Sequence, residues 1–147
     1  MSNIYQQSVL FAVMFVVAML FNPMSMLAYQ TDHLYFSTTL LYASGYMAST
    51  MIWAHQIVHF FQMNHFNWTI FTIGILMSLL FIFLLRTQMF VTSDQWLRRM
   101  IPHHSTALTT TTQLLESPHL DDRVFRLAKD IVYNQRREIK LMKLLIE

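Results

Sequence analysis

Residues 96–108 read Trp-Leu-Arg-Arg-Met-Ile-Pro-His-His-Ser-Thr-Ala-Leu, which puts a thioether, Met100, and two imidazoles, His103 and His104, within about one helical turn. Leu97, Met100, Ile101, His104, Ala107, Leu108, Thr111, Leu114 and Leu115 recur at three-to-four spacing, so the stretch reads as an amphipathic helix with His104 inside its apolar stripe. Thr92-Ser93-Asp94-Gln95 offers hydroxyl and carboxylate caps for its start. Pro102 is expected in the first turn or at a bend, because its missing N–H frees a carbonyl four residues back, near Arg98.

Downstream, Ser117-Pro118-His119-Leu120-Asp121-Asp122 is a breaker that can fold one segment back on the other. A second helix begins near Asp121-Asp122 and repeats the pattern with Val124, Leu127, Ala128, Ile131, Gln135, Glu138, Ile139, Met142 and Leu145. A hairpin turning around Pro118 sets His104 level with Gln135, and Met100 level with Glu138. Met142 adds another thioether to that face. Two helices make a poor core, so the hairpin is expected to pair with a second copy or to pack on other helices.

Upstream the chain changes character. Of its 147 residues, 54% are hydrophobic and 12% charged, about half the charged fraction of a soluble domain. All ten Lys and Arg lie from Arg86 onward, as do all acidic residues except Asp32. The net charge of +2 is too small and too mixed in sign for nucleic acid, and cysteine is absent, which excludes disulfides and thiolate metal sites. Three apolar stretches, Val9 to Leu27, Leu34 to about Phe61, and Trp68 to Leu85, are expected to cross a lipid bilayer. The first lacks a basic tail and a small-residue cleavage site, so it reads as a retained helix rather than a signal peptide. The second carries Ser37, Thr38, Thr39, Ser44, Gly45, Ser49 and Thr50, small or hydroxylated residues that suit the middle of a packed bundle. Arg86, Arg98 and Arg99 cluster after the third, which places the C-terminal hairpin in the cytoplasm and the N-terminus outside.

The sequences WLRRMIPHHSTAL and LAKDIVYNQRREIKLMK resemble the family known as domain of unknown function 305, a ferritin-like helical domain. HLYFSTTLLYASGYMASTMIW followed by FIFLLRTQ is similar to the branch of that family with three N-terminal membrane helices. The resemblance implies a small helical fold and a link to metals, copper in particular, with no established reaction. The expected architecture is all-α: a three-helix transmembrane region at 1–88, then a two-helix ferritin-like hairpin at 89–147.

Two constellations could hold an ion. One is Met100, His103 and His104, with Gln135, Glu138 and Met142 opposite; thioether and imidazole suit Cu(I), imidazole with oxygen suits Cu(II). Adjacent His103 and His104 point about 100° apart, so a shared ion needs the Pro102 bend, and a buried His104 bonded to Gln135 or Glu138 is the plainer account. The other is the row Met47, Met51, His55, His59 and Met63, spaced by four along the second span with His65 nearby. No catalysis is expected, since Glu-x-x-His pairs, His-Glu-x-x-His, a Gly-rich phosphate loop and a cysteine nucleophile are all missing. The two functional expectations are a membrane protein handling copper through Met and His, and a non-catalytic membrane assembly module whose MIPHH and QRREI elements lock helices together. In either case the C-terminal helices are expected to form a homo-oligomer.

Overall fold

The computed structural model describes residues 4–146, which form five long helices and one short one, with no strand among the described residues. The chain divides into two compact units. One joins residues 4–21 to Thr38–Phe90, and the other joins Asn22–Ser37 to residues 91–146. Residues 1–3 and 147, which close the expected ranges 1–88 and 89–147, lie outside the described residues.

The first unit contains α1 (Ile4–Leu20), α3 (Thr38–Met63) and α4 (Trp68–Thr87), with α3 packed against both of the others. Its buried positions, Ser44, Gly45, Ala48, Ser49, Ile52 and Gln56, follow a helical three-to-four spacing and are mostly small, as expected of a central helix. The two glycines of the chain both serve the contact with α4. A Cβ on Gly45 would fall 2.4 Å from the Phe81 ring, and one on Gly74 would fall 3.0 Å from the Trp53 backbone nitrogen. Serines in this unit bond to their own helix, Ser49 to the Gly45 carbonyl and Ser78 to the Gly74 carbonyl, so no hydroxyl is stranded where the helices meet.

Outward, the same unit is apolar. Val9, Val13 and Val16 on α1, and Leu76, Leu79, Leu80 and Phe83 on α4, are exposed. Two stretches are long and apolar enough to cross a membrane, Ile4–Met26 with mean hydropathy 2.1 and Trp68–Thr87 with mean hydropathy 2.4. That is one fewer than the three expected. The 26-residue α3 does not pass the same test, because its serines, Gln56, His55 and His59 lower its hydropathy.

The second unit contains α2 (Pro23–Met26), a 3-10 turn at Thr31–His33, α5 (Ser93–Leu115) and α6 (Asp122–Ile146). The expected first span is broken here. Asn22 accepts a bond from the Ser25 N–H, and Pro23 takes the first helical position, where its missing N–H costs nothing. The expected second span likewise begins late, since residues 34–37 are not helical and α3 starts at Thr38. Residues 22–37 therefore belong with the hairpin, and the expected division at 88/89 misses them. We call this segment the strap.

Helices α5 and α6 bury Ile101, Leu108, Ile139 and Met142, with Tyr35 of the strap, Leu97, Met100, Val132 and Ile146 packed around them. The strap is thus the third wall that two helices alone would lack. Pro102 lies well inside α5 rather than in its first turn, and it is buried. Thr92 caps α5 through the Gln95 N–H, as its sequence suggests.

Candidate functional site

The strap reaches α5 at Ser105. This serine has no exposure, and its Oγ accepts the Tyr29 N–H at 2.7 Å. His33 Nδ1 lies 2.9 Å from the same oxygen. Beyond the bond from Tyr29, Oγ keeps its own proton and a second lone pair for this contact, and the other ring nitrogen, Nε2, lies 3.9 Å from Asp32 Oδ1. Burial holds the His33 pKa below its ordinary value and the Lys143 charge acts in the same sense, against the opposing pull of Asp32. A serine, a histidine and an aspartate stand together here, yet the serine is sealed from any substrate. The array ties the strap to α5.

The strap also reaches α6. Lys143 Nζ donates to Asp32 Oδ2, and the Arg136 guanidinium lies against Tyr29, with its Nη2 3.5 Å from the phenol oxygen. Thr106 Oγ1 touches the Met24 carbonyl at 3.4 Å, and the Arg98 guanidinium sits 5.8 Å from the centre of the Tyr35 ring. Between strap, α5 and α6 opens a cleft of about 430 Å³, lined by Tyr29, Gln30, His33, Leu108, Arg136, Ile139, Lys140 and Lys143.

On the other side of α5, His104 Nδ1 lies 2.9 Å from Glu138 Oε2. That is ion-pair distance, but the carboxylate is out of line with the ring N–H, so Nδ1 is left without an aligned hydrogen-bond partner. Burial lowers the His104 pKa, Glu138 opposes the shift, and His103 adds to it. The expected register places Gln135 here. Glu138, one turn further from the hairpin bend, meets His104 instead, because side chains on both antiparallel helices lean toward their own N-termini and partners are not equidistant from the turn. Gln135 keeps a buried, unpartnered Oε1.

Residues 85–146 match the family described as Domain of unknown function (DUF305). Uncharacterized protein L153 of Acanthamoeba polyphaga mimivirus is 30% identical over 131 residues, covering 72% of this chain and 86% of that protein. The chain belongs to the DUF305 family. No solved structure matches it.

The metal link that this DUF305 resemblance implies does not fit the residues as placed. Among the described residues, no group of three or more His, Asp or Glu is gathered so as to hold an ion. Met142 is 7% exposed within the apolar core, Met100 packs against that core, and His104 faces Glu138 while His103 is exposed. The His103 and His104 rings are 5.8 Å apart at an interplanar angle of 62°.

The row on α3 also disperses. Met47, Met51 and Met63 are exposed, whereas His55 turns to Gln7 of α1, whose Nε2 lies 3.2 Å from Nδ1. His59 Nδ1 meets the His65 carbonyl at 3.0 Å. Ring spacings of 6.2 Å for His55 with His59 and 5.6 Å for His59 with His65 leave the imidazoles in series, without a common point.

Sequence reasoning missed Ser105, His33, Tyr29, Asp32 and Lys143 as a set. Their partners are more than 70 positions apart along the chain, beyond the reach of any helical period. The one local signal was Asn22-Pro23, a cap followed by a helix-starting proline, which marks where the strap begins.

Proposed function

We infer that this DUF305 protein is a non-catalytic membrane assembly module, with three membrane crossings carrying a strapped helical hairpin on the cytoplasmic face. The observation that carries the reading is that the buried and half-buried residues of MIPHH and QRREI are taken up by the packing of the hairpin itself. Ile101 and Ile139 fill its core, Met100 packs on that core, and His104 sits on Glu138.

Topology supports the third crossing. The strap precedes α3 and the hairpin follows α4, yet strap and hairpin form one unit, so an even number of crossings separates them. With α4 in the bilayer, α3 crosses too. At about 1.5 Å per residue its 26 residues are ample, and packing against α1 and α4 keeps its polar face from lipid. Arg86, Arg98 and Arg99 follow α4 while residues 59–67 carry no Lys or Arg, which favours a cytoplasmic hairpin.

The assembly partner is a second copy of the chain. On α6, Leu127, Tyr133, Leu141, Leu144 and Leu145 are exposed, away from the buried Ala128, Ile139 and Met142, and Leu141, Leu144 and Leu145 gather in its last turns. The test is the oligomeric mass of the full chain in detergent, with Leu141→Lys, Leu144→Lys and Leu145→Lys combined. The expected result is dissociation at unchanged helix content. A monomeric wild type, or near-stoichiometric Cu(I) binding abolished by His103→Ala with His104→Ala, would replace this reading with the copper one.

A further inference from the structure

The cleft beneath the strap differs in kind from the rest of the hairpin surface. Arg136, Lys140 and Lys143 stand at i, i+4 and i+7 on α6, so one helix face delivers all three cations to it. Lys143 is neutralised by Asp32, but among the described residues neither Arg136 nor Lys140 pairs with a carboxylate. Three cations against one carboxylate leave a surplus of two positive charges. The remaining wall carries the Tyr29 phenol, the Gln30 amide and the His33 imidazole, with an apolar floor of Leu108 and Ile139.

We propose that this cleft binds a phosphate monoester, with Arg136 and Lys140 holding the phosphate and Leu108, Ile139 and Tyr29 receiving the organic part. A phosphate monoester dianion matches the surplus charge. A guanidinium offers paired N–H donors to two of its oxygens and an ammonium supplies a compact positive charge. The volume of about 430 Å³ falls in the range of small-molecule sites. A plain inorganic anion would use the cations and leave the apolar floor empty. The strap is fixed to α5 and α6 before any ligand arrives, through Ser105 and Lys143, so little ordering cost is left to binding. The phosphate could belong to a soluble ester or to the headgroup of an anionic lipid such as phosphatidic acid, and the chemistry of recognition is the same.

Calorimetric titration of the full chain in neutral detergent separates these sources. The probes are inorganic phosphate, a soluble alkyl phosphate and short-chain phosphatidic acid, with short-chain phosphatidylcholine as the uncharged reference. Saturable binding of alkyl phosphate or phosphatidic acid, tighter than inorganic phosphate, is expected. Preference for the soluble ester identifies a metabolite-type ligand, and preference for phosphatidic acid identifies the lipid. Lys140→Gln, which removes an ammonium without a protein partner, should weaken binding about tenfold. Arg136→Gln with Lys140→Gln should abolish it, while Arg126→Gln with Lys129→Gln, equal in charge loss on the same helix, should leave it within about twofold. Absence of saturable binding by every phosphate probe overturns the proposal. So does an equal loss in the charge-matched control, which would mean diffuse attraction to a basic helix.

Discussion

The two units of this chain solve opposite problems with the same element. The first turns apolar residues outward and brings helices together through Gly45, Gly74, Ser44 and Ser49. The second turns apolar residues inward and ties its exterior with polar pairs between distant segments, among them Ser105 with His33 and Lys143 with Asp32. Both units hold stranded polar atoms, with His104 Nδ1 and Gln135 Oε1 in the second. The first unit contains Gln56, which has no exposure and no partner for either amide atom, and Gln7, whose Oε1 is unpartnered.

The strongest way to break the comparison is Gly74→Val. The added Cβ would press on the Trp53 backbone, which cannot swing aside as a side chain can, and the expected cost is about 1–3 kcal/mol in the first unit. The measurement is detergent-resistant protease protection of α3 and α4, which should fall while the hairpin stays protected. Equal loss in both units would mean they fold as one.

Gln56→Leu should act with the opposite sign. Replacing an unpartnered buried amide by an apolar group of similar size removes a desolvation penalty, an expected gain of about 1–2 kcal/mol. A raised unfolding temperature in detergent would bear this out, and a lowered one would reveal a partner for the amide in the assembled protein.

The smallest effect concerns acid, and it should be confined to the second unit. Burial lowers the pKa of both His33 and His104 below the ordinary histidine value near 6.5. The folded unit therefore binds protons less readily than the unfolded chain. Its stability is full above about pH 6.5 and declines as pH falls through the lowered folded values. With Trp53 and Trp68 changed to Phe, Trp96 fluorescence reports on this unit alone. Its melting temperature should drop between pH 7.5 and pH 5.5, and His33→Gln with His104→Gln should flatten that dependence. A pH slope unchanged in the double variant would assign it elsewhere.

The parts legible in the sequence are those with short-range periodicity. The apolar stripe through Ile101 and Leu108, the Thr92 cap, the breaker around Pro118 and the small-residue face of α3 all follow from spacing of three to four. The strap was illegible because Leu27, Leu34 and Phe36 make residues 22–37 look like the ends of two spans, although each of the three is exposed. His104 was legible as a buried polar group facing Gln135 or Glu138, and side-chain lean, a property of three-dimensional direction that counting from the turn does not capture, brings it to Glu138. Met142 shows that a thioether on the helix opposite a histidine is, in a small hairpin, chiefly a flexible filler for the core.

The strap also imposes a check on how the protein is made. It is made before α3, α4 and the hairpin, and its contacts with Ser105 span 72 and 76 positions of chain and that with Lys143 spans 111. A chain whose strap is held away from α5 and α6 cannot make these contacts. Asp32, His33 and Tyr29 then lack their partners, and the hairpin core loses Tyr35. Closure of the strap therefore ties completion of the hairpin core to a segment made long before it.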